Sequence, residues 1–430
     1  MIGGKRITNA IIVQQHPRKK FRNLKEFESL TDAAGYTIVA AVEQSRKLDS
    51  RFSVGRDKLE EIVKLVKEHK VRKLIFDNKL KPVQVYNIAK KTGVEAIDRF
   101  QLILEVFAHR ASTTEAKLQI QLARLRYELT HAKEKVRLAR LGEQPGFMGL
   151  GAYEVDIYYE AVKRQINSIR EKLKKIKKKR SLHRKRRKEL GFLSIALAGY
   201  TYAGKSTLFN LLVEEAVPTG EGLFTTLSTT TRLIELSGKR VLLTDTVGFI
   251  ERLSVDLVDA FRSTLEETTF ADLILLIVDA NESLQTIERK LSVCLDTIEK
   301  IGAYEIPLVI ALNKIDLLSE LEVRQRMEAM SSITSDVVSI SALENINIDT
   351  LKQQLSKLLK SQIQATITLP INDETLSFVS WIFSHAHVKK VKYEEDRVKL
   401  TFEAVSDFVG TILGRVENYG GVLTEPETST

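Results

Sequence analysis

Residues 192–212 read FLSIALAGYTYAGKSTLFNLL. An apolar run of strand length leads into Gly199-Tyr200-Thr201-Tyr202-Ala203-Gly204-Lys205-Ser206-Thr207, and apolar residues at helical spacing follow. The stretch fits G-x-x-x-x-G-K-[ST] in its strand–loop–helix setting. Such a loop turns backbone N–H groups inward around phosphate at the N-terminus of a helix. There Lys205 supplies a point charge to β- and γ-phosphates, and the Ser206 hydroxyl binds Mg2+. The same alternation of strand and helix continues over 191–361, which implies right-handed crossovers and a parallel sheet.

A phosphate loop alone leaves adenine and guanine nucleotides open, and three further segments decide between them. Asp245-Thr246-Val247-Gly248 follows the apolar run 241–244. Its carboxylate suits the Mg2+ hydration shell and its glycine amide suits a γ-phosphate. Asn313-Lys314-Ile315-Asp316 follows the run 308–312. The Asp316 carboxylate can accept from both N1–H and the exocyclic amine of guanine, donors that adenine lacks, and an unpaired buried carboxylate would cost kilocalories. Ser341-Ala342-Leu343, after 337–340, offers a backbone amide to guanine O6. All four segments sit in order at the carboxyl ends of expected strands, where open α/β sheets bind ligands. GTP with Mg2+ is the expected pair.

Between the phosphate loop and Asp245 lies LFTTLSTTTR, from which Thr226, with Thr225 next, is expected to close over Mg2+ and the γ-phosphate. Lys205, Thr226 and Gly248 form the expected catalytic set, and Ser206, Thr226 and Asp245 the metal set. Phe249 stands where many GTPases place a water-orienting glutamine. A phenyl ring cannot position water by hydrogen bonding, so slow hydrolysis, or a group supplied by a partner or a mobile loop, is expected.

Outward from this domain, residues 1–110 alternate between short apolar runs (10–13, 36–42, 73–76) and helical patterns, Pro82 opening the third helix and Gly93 closing it. This reads as a small parallel α/β domain. In 111–190 the period changes. Leu118, Leu122, Leu125, Leu129, Ala132, Val136 and Ala139 follow heptad spacing, as do Val155, Tyr159, Val162, Ile166, Ile169, Leu173 and Ile176. Two heptad helices joined by the glycine-rich loop GEQPGFMGLGAY predict an antiparallel coiled-coil hairpin. Its arms are roughly 40–50 Å long at ~1.5 Å per residue. Beyond Ile176 the apolar seam stops while KKKR and RKRRKE continue. A helix with no apolar stripe has nothing to bury, so these cations are expected to be free for phosphates. Residues 362–430 read as a small α+β domain.

Charge divides the chain in the same way. The first 190 residues carry an excess of 23 positive charges and the remainder an excess of 13 negative, within 430 residues of net charge +10. That asymmetry points to a polyanion met by the N-terminal half. Aromatic residues are absent from 170–190, so contact there is expected to follow the backbone rather than read bases. No apolar run reaches the ~18–20 residues that span a bilayer, and the single cysteine excludes an internal disulfide framework. A soluble, cytoplasmic monomer with no membrane contact is expected.

With these residues assembled, the chain resembles the HflX family of ribosome-associated GTPases, within the Obg–HflX group. FSVGRDKLEEI, LIFDNKLKPVQ, IDRFQLILEVFAHRASTTEAKLQIQLARLRYEL and the RKRRKE run carry the resemblance together with the domain order. It implies GTP-dependent binding to the large ribosomal subunit and a role in ribosome splitting or rescue under stress. It also implies that residues 111–190 reach into ribosomal RNA near the peptidyl-transferase region. An RNA-processing GTPase or a GTP-gated coiled-coil scaffold are the alternative readings. Two positions depart from the family pattern. Tyr202 stands where members usually carry Asn, which touches on K+ stimulation, and Gly149–Glu154 replaces a G-P-G-E-T-type stretch.

Overall fold

Strands covered by helices on both faces read as unbroken apolar runs. β1 (Thr8–His16) does so, with Ala10, Ile11, Ile12 and Val13 all buried. The computed structural model describes residues 8–16, 24–140, 152–189, 192–213, 230–237, 239–250, 265, 267–331, 333–359, 363–404 and 406–424. They fall into two units, and the division lies at residues 176 and 177, inside one long helix.

In the first unit β1 is followed by α1 (Leu24–Ala33), β2 (Tyr36–Ser45), α2 (Arg56–Glu68), β3 (Lys73–Phe76), α3 (Pro82–Thr92), β4 (Glu95–Asp98) and α4 (Arg99–Arg110). The sheet is parallel, in the order β2-β1-β3-β4. Pro82 opens α3, and Gly93 closes it at φ 77°, a conformation that only glycine adopts without strain. Buried polar side chains fill the carboxyl end of the sheet. Arg99 bonds Asp77 at 2.9 Å and Glu26 at 2.5 Å, and Gln14 donates to Asp77. Asp98 accepts from the Tyr127 hydroxyl and from the Leu80 and Gln101 amides, while burial pushes its carboxyl pKa up. These ion pairs hold the ends of β3, β4 and α1 together.

α5 (Thr114–Arg140) and α6 (Ala152–Glu189) are the two heptad helices. Leu122 and Leu125 pack against Val162, Ile166 and Ile169, flanked by Leu118, Leu129 and Leu173, so the seam expected from the heptads is the seam observed. The glycines of the joining loop, Gly142, Gly146, Gly149 and Gly151, lie outside the described residues.

In the second unit, β5 (Leu193–Gly199), α7 (Lys205–Val213), β6 (Thr230–Leu236), β7 (Lys239–Asp245), β8 (Leu273–Asp279), β9 (Leu308–Asn313) and β10 (Val337–Ser339) build a six-stranded sheet in the order β10-β9-β8-β5-β7-β6. Only the edge strand β6 is antiparallel to its neighbour. Ile195, Leu197, Leu243, Leu275 and Ile277 form its core with Leu208 and Phe209 of α7 and Leu351 and Leu355 of the helix Ile348–Leu358. A second, antiparallel sheet follows: β11 (Ile363–Pro370), β12 (His387–Tyr393), β13 (Arg397–Ala404) and β14 (Val422–Thr424), in the order β12-β13-β11-β14. With the helices Asp373–His385 and Ser406–Val416 this is a βαββαβ arrangement whose helices share one face of the sheet.

The C-terminal end of α6 differs from the expectation of a free basic helix. Arg180 and Arg184 are 16% and 14% exposed, and both reach Glu267 Oε1, at 3.6 and 3.8 Å. The Arg184 guanidinium also lies over the Phe270 ring at 3.9 Å. Downstream, Asp272 fixes the same segment to β5 through the Ser194 amide (2.9 Å) and hydroxyl (3.0 Å). Guanidinium groups pack on aromatic and carboxylate surfaces without an apolar stripe, which hydrophobic periodicity does not register. Replacing Glu267 by Gln should lower stability by about 1–2 kcal/mol, since it removes a negative charge shared by two partly buried guanidinium groups. A urea midpoint equal to that of the unchanged chain would mean that the contact contributes nothing.

Candidate nucleotide site

Three glycines shape the site through crowding. Gly199 ends β5 at φ 145°, and a Cβ there would sit 2.3 Å from the Ile277 carbonyl oxygen. At Gly204, φ 95°, a Cβ would meet Asn313 Nδ2 at 2.2 Å. At Gly248 it would meet Lys205 Nζ and Thr201 Cγ2, each at 2.9 Å. The loop 199–205 therefore lies directly against β8, against the end of β9 and against the segment after β7. Only glycine permits that closeness.

Asn313 ties these loops together. Its side-chain amide donates to the Ala203 carbonyl at 2.8 Å, and its oxygen accepts from the Ala342 amide at 2.9 Å. The buried Asn313 thus bonds the phosphate loop to the Ser341–Leu343 segment. The Ala342 N–H, one of the amides expected to face a base, is spent on this bond, and Leu343 stands beside it, 75% exposed. Ser341 Oγ accepts from the Glu344 amide and fixes the turn. Lys314 adopts φ 70°, and its ammonium pairs with Asp279 at 2.5 Å. Asp316 lies in the 3-10 turn Ile315–Leu317 with an exposed carboxylate.

On the phosphate side, Lys205 Nζ donates to the Gly199 and Tyr200 carbonyls at 3.1 and 2.9 Å. Burial pushes its ammonium pKa down, against the raising pull of Asp245. Ser206 Oγ donates to Asp245 Oδ2 at 3.0 Å, which brings two side-chain oxygens to one point beside Lys205. Thr207 follows in the first turn of α7. Thr246 is anchored by its hydroxyl to the Leu197 carbonyl at 2.6 Å. Val247 is buried. Phe249 is buried too, 1% exposed, and its backbone pairs with the phosphate loop: Thr201 N–H donates to Phe249 O at 2.9 Å and Phe249 N–H to Gly199 O at 3.0 Å. Its ring thus lies in the core. Tyr202 sits at φ 67°, half exposed. Thr225 and Thr226 lie outside the described residues.

Sequence patterns alone did not reveal a second layer beneath the loop. Tyr200, Ala203, Ile287, Leu291 and Cys294 line a small apolar pocket under it. Lys290 covers the Tyr200 ring at 4.5 Å and pairs with Glu282. Burial pushes the Cys294 thiol up to about 12, so it packs as a small apolar group, as its helical neighbours suggested. The Asp279–Lys314 pair was likewise missed. Its only signal was an acidic residue closing the apolar run 273–278.

Asn313→Ala should lower nucleotide affinity at least about tenfold, because the Ala203 carbonyl and the Ala342 amide lose a shared partner at ~1–3 kcal/mol each. Fluorescent-nucleotide titration reads this, and unchanged affinity would show that the two loops hold their shape without it.

The comparisons with known proteins agree with this site. Three family models cover most of the chain: "GTP-binding GTPase N-terminal" at residues 22–108, "GTP-binding GTPase Middle Region" at 110–187 and "50S ribosome-binding GTPase" at 194–314. The GTPase HflX of Thermococcus kodakarensis is 43% identical over 368 residues, 84% of this chain and 81% of that one. That of Methanocaldococcus jannaschii is 38% identical over 396 residues, 92% and 96%. That of Escherichia coli K12 is 35% identical over 383 residues, 88% of each. Among solved structures, SsGBP in complex with GDP matches 82% of this chain and 98% of its own at a TM-score of 0.51 and 27% identity. The protein is a GTP-binding GTP hydrolase, and the chain belongs to the HflX family of GTPases.

Proposed function

We propose that this GTPase is a GTP-gated factor of the large ribosomal subunit, acting in the cytoplasm in ribosome splitting or rescue. The observation that carries this reading is the basic run of α6. Lys172, Lys174, Lys175, Lys178 and Lys179 are exposed on a helix that continues from an apolar hairpin seam, so the cations project where no core needs them. Such a surface neutralises phosphates without reading bases. The description of the family model over residues 194–314, a 50S ribosome-binding GTPase, supports ribosomal RNA as the source of those phosphates.

In the nucleotide site, Asp316 would accept from N1–H and the amine of guanine, while the Leu343 amide would meet O6. Lys205 would turn from the loop carbonyls to β- and γ-phosphate oxygens. The Ser206 hydroxyl and Asp245 carboxylate, already 3.0 Å apart, form a hard oxygen donor set that suits Mg2+. Held there by Ser206 and Asp245, the ion would supply positive charge against the negative charge of the phosphates. Thr226 would complete the set. Since Phe249 packs in the core and offers no hydrogen bond to water, intrinsic hydrolysis is slow, and a group brought by the bound subunit would raise it.

Asp316→Ala should weaken GDP and GTP binding by about a hundredfold, from the loss of a doubly accepting carboxylate, with ADP affinity unchanged. Calorimetry that found equal losses for ADP would remove Asp316 from base selection. The broader reading is checked by co-sedimentation with large subunits. Binding with a non-hydrolysable GTP analogue, little with GDP, and steep weakening with salt are expected. No binding in either state would overturn it.

A further inference from the structure

Phe249, which stands where a water-orienting glutamine would, is bonded to a residue whose own hydroxyl has no partner. The Thr201 amide donates to the Phe249 carbonyl at 2.9 Å, and Tyr200, one residue earlier, forms a parallel bridge with Phe249. Thr201 therefore lies beside the position that lacks a polar side chain. The residue is 5% exposed, and its Oγ1 is buried without a hydrogen-bond partner among the described residues. Other hydroxyls at this edge of the sheet are engaged. Ser206 bonds Asp245, Thr246 bonds the Leu197 carbonyl, and Thr244 bonds Thr231. A buried hydroxyl left unpaired costs stability, and valine would give the same shape without that cost.

The surroundings of that hydroxyl narrow what could supply its partner. A Cβ on Gly248 would meet Thr201 Cγ2 and Lys205 Nζ, each at 2.9 Å. The threonine side chain, the phosphate-loop ammonium and the glycine whose amide suits a γ-phosphate thus meet at one spot. Methyl and hydroxyl share the Thr201 Cβ, and one turn about χ1 between staggered wells carries the hydroxyl to the place of the methyl, beside Gly248. The ammonium that crowds this spot is bonded only to the Gly199 and Tyr200 carbonyls, the contacts it would exchange for phosphate oxygens. A hydroxyl has one donor and two acceptor lone pairs. It can therefore accept from a water molecule while donating to a phosphate oxygen, and neither a phenyl ring nor a valine can do so.

We propose that the Thr201 hydroxyl is a catalytic group for GTP hydrolysis: it accepts a hydrogen bond from the attacking water and donates one to a γ-phosphate oxygen. In that step the water oxygen bonds to the γ-phosphorus while the bond from phosphorus to the β–γ bridging oxygen breaks, its electron pair leaving with GDP. One water proton stays on the transferred oxygen and the other passes to a γ-phosphate oxygen, so the products are GDP and dihydrogen phosphate. Thr201 keeps its own proton and contributes orientation alone. The inference rests on this site being a GTP hydrolase and not on any ribosomal partner. Thr201→Val removes the hydroxyl and keeps the shape, while Thr201→Ser keeps the hydroxyl and removes the methyl. Single-turnover GTP hydrolysis by the full chain, without ribosomes, is measured beside thermal melts and titrations with GDP and a non-hydrolysable GTP analogue. In Thr201→Val the thermal midpoint should hold or rise and both affinities should be unchanged. The hydrolysis rate should fall roughly tenfold or more, since the lost bond is made to the reacting water. Thr201→Ser should retain the rate. An unchanged rate in Thr201→Val would overturn the proposal and leave the side chain as packing. So would an analogue affinity that falls as far as the rate, which would make the hydroxyl a contact to bound nucleotide only. A Thr201→Ser variant as slow as Thr201→Val would overturn it too, by making shape the determinant.

Discussion

One buried amide organises the nucleotide site. Asn313 donates to the backbone of the phosphate loop and accepts from the backbone of the Ser341–Leu343 turn, so the end of β9 fixes at once the segment that would hold phosphate and the one that would hold the base. A side chain that both donates and accepts is needed, and it must be short enough to leave room for Gly204 at its nitrogen. The exposed Asp316 and the Lys314 turn then follow from the same strand end. The parallel sheet supplies the rest, since β5, β7, β8 and β9 all deliver their carboxyl ends to one edge.

Much of this was legible from the chain. Each nucleotide segment contains residue types whose chemistry is specific, and each follows an apolar run, so motif and strand confirm one another. The hairpin was legible because a heptad seam repeats: Leu122, Leu125, Val162 and Ile166 occupy the core that spacing assigned to them. β4 and β14 were not seen, because four residues (EAID) or three (VLT) hold too few alternations to declare a period. The docking of Arg180 and Arg184 was invisible for another reason. Their burial depends on Glu267 and Phe270, more than eighty positions away, and nothing in a run of lysine and arginine says which members find a partner.

That docking changes the meaning of the basic run. The charges are not equivalent. Some, such as Lys178 and Lys179, face water, whereas Arg180 and Arg184 join the helix to the GTPase core. The guanidinium group suits the second task because its planar fork satisfies a carboxylate and lies flat on a ring, which an ammonium group does not do. Lys178 and Lys179 thus serve solvent, and Arg180 and Arg184 serve the protein.

The crowding around Gly199 and Gly204 separates two kinds of signature in this sequence. Both glycines are demanded by the packing of the polypeptide against itself, by the Ile277 carbonyl and the Asn313 amide. Ser206 and Asp316 are demanded by no such packing, since their side chains occupy space that smaller residues could leave empty. A descendant of this protein that had lost its chemistry but kept its fold would therefore still display the glycines. The decay would be written first at the serine and the aspartate, and those positions, more than the glycine pattern, tell a working site from its fossil.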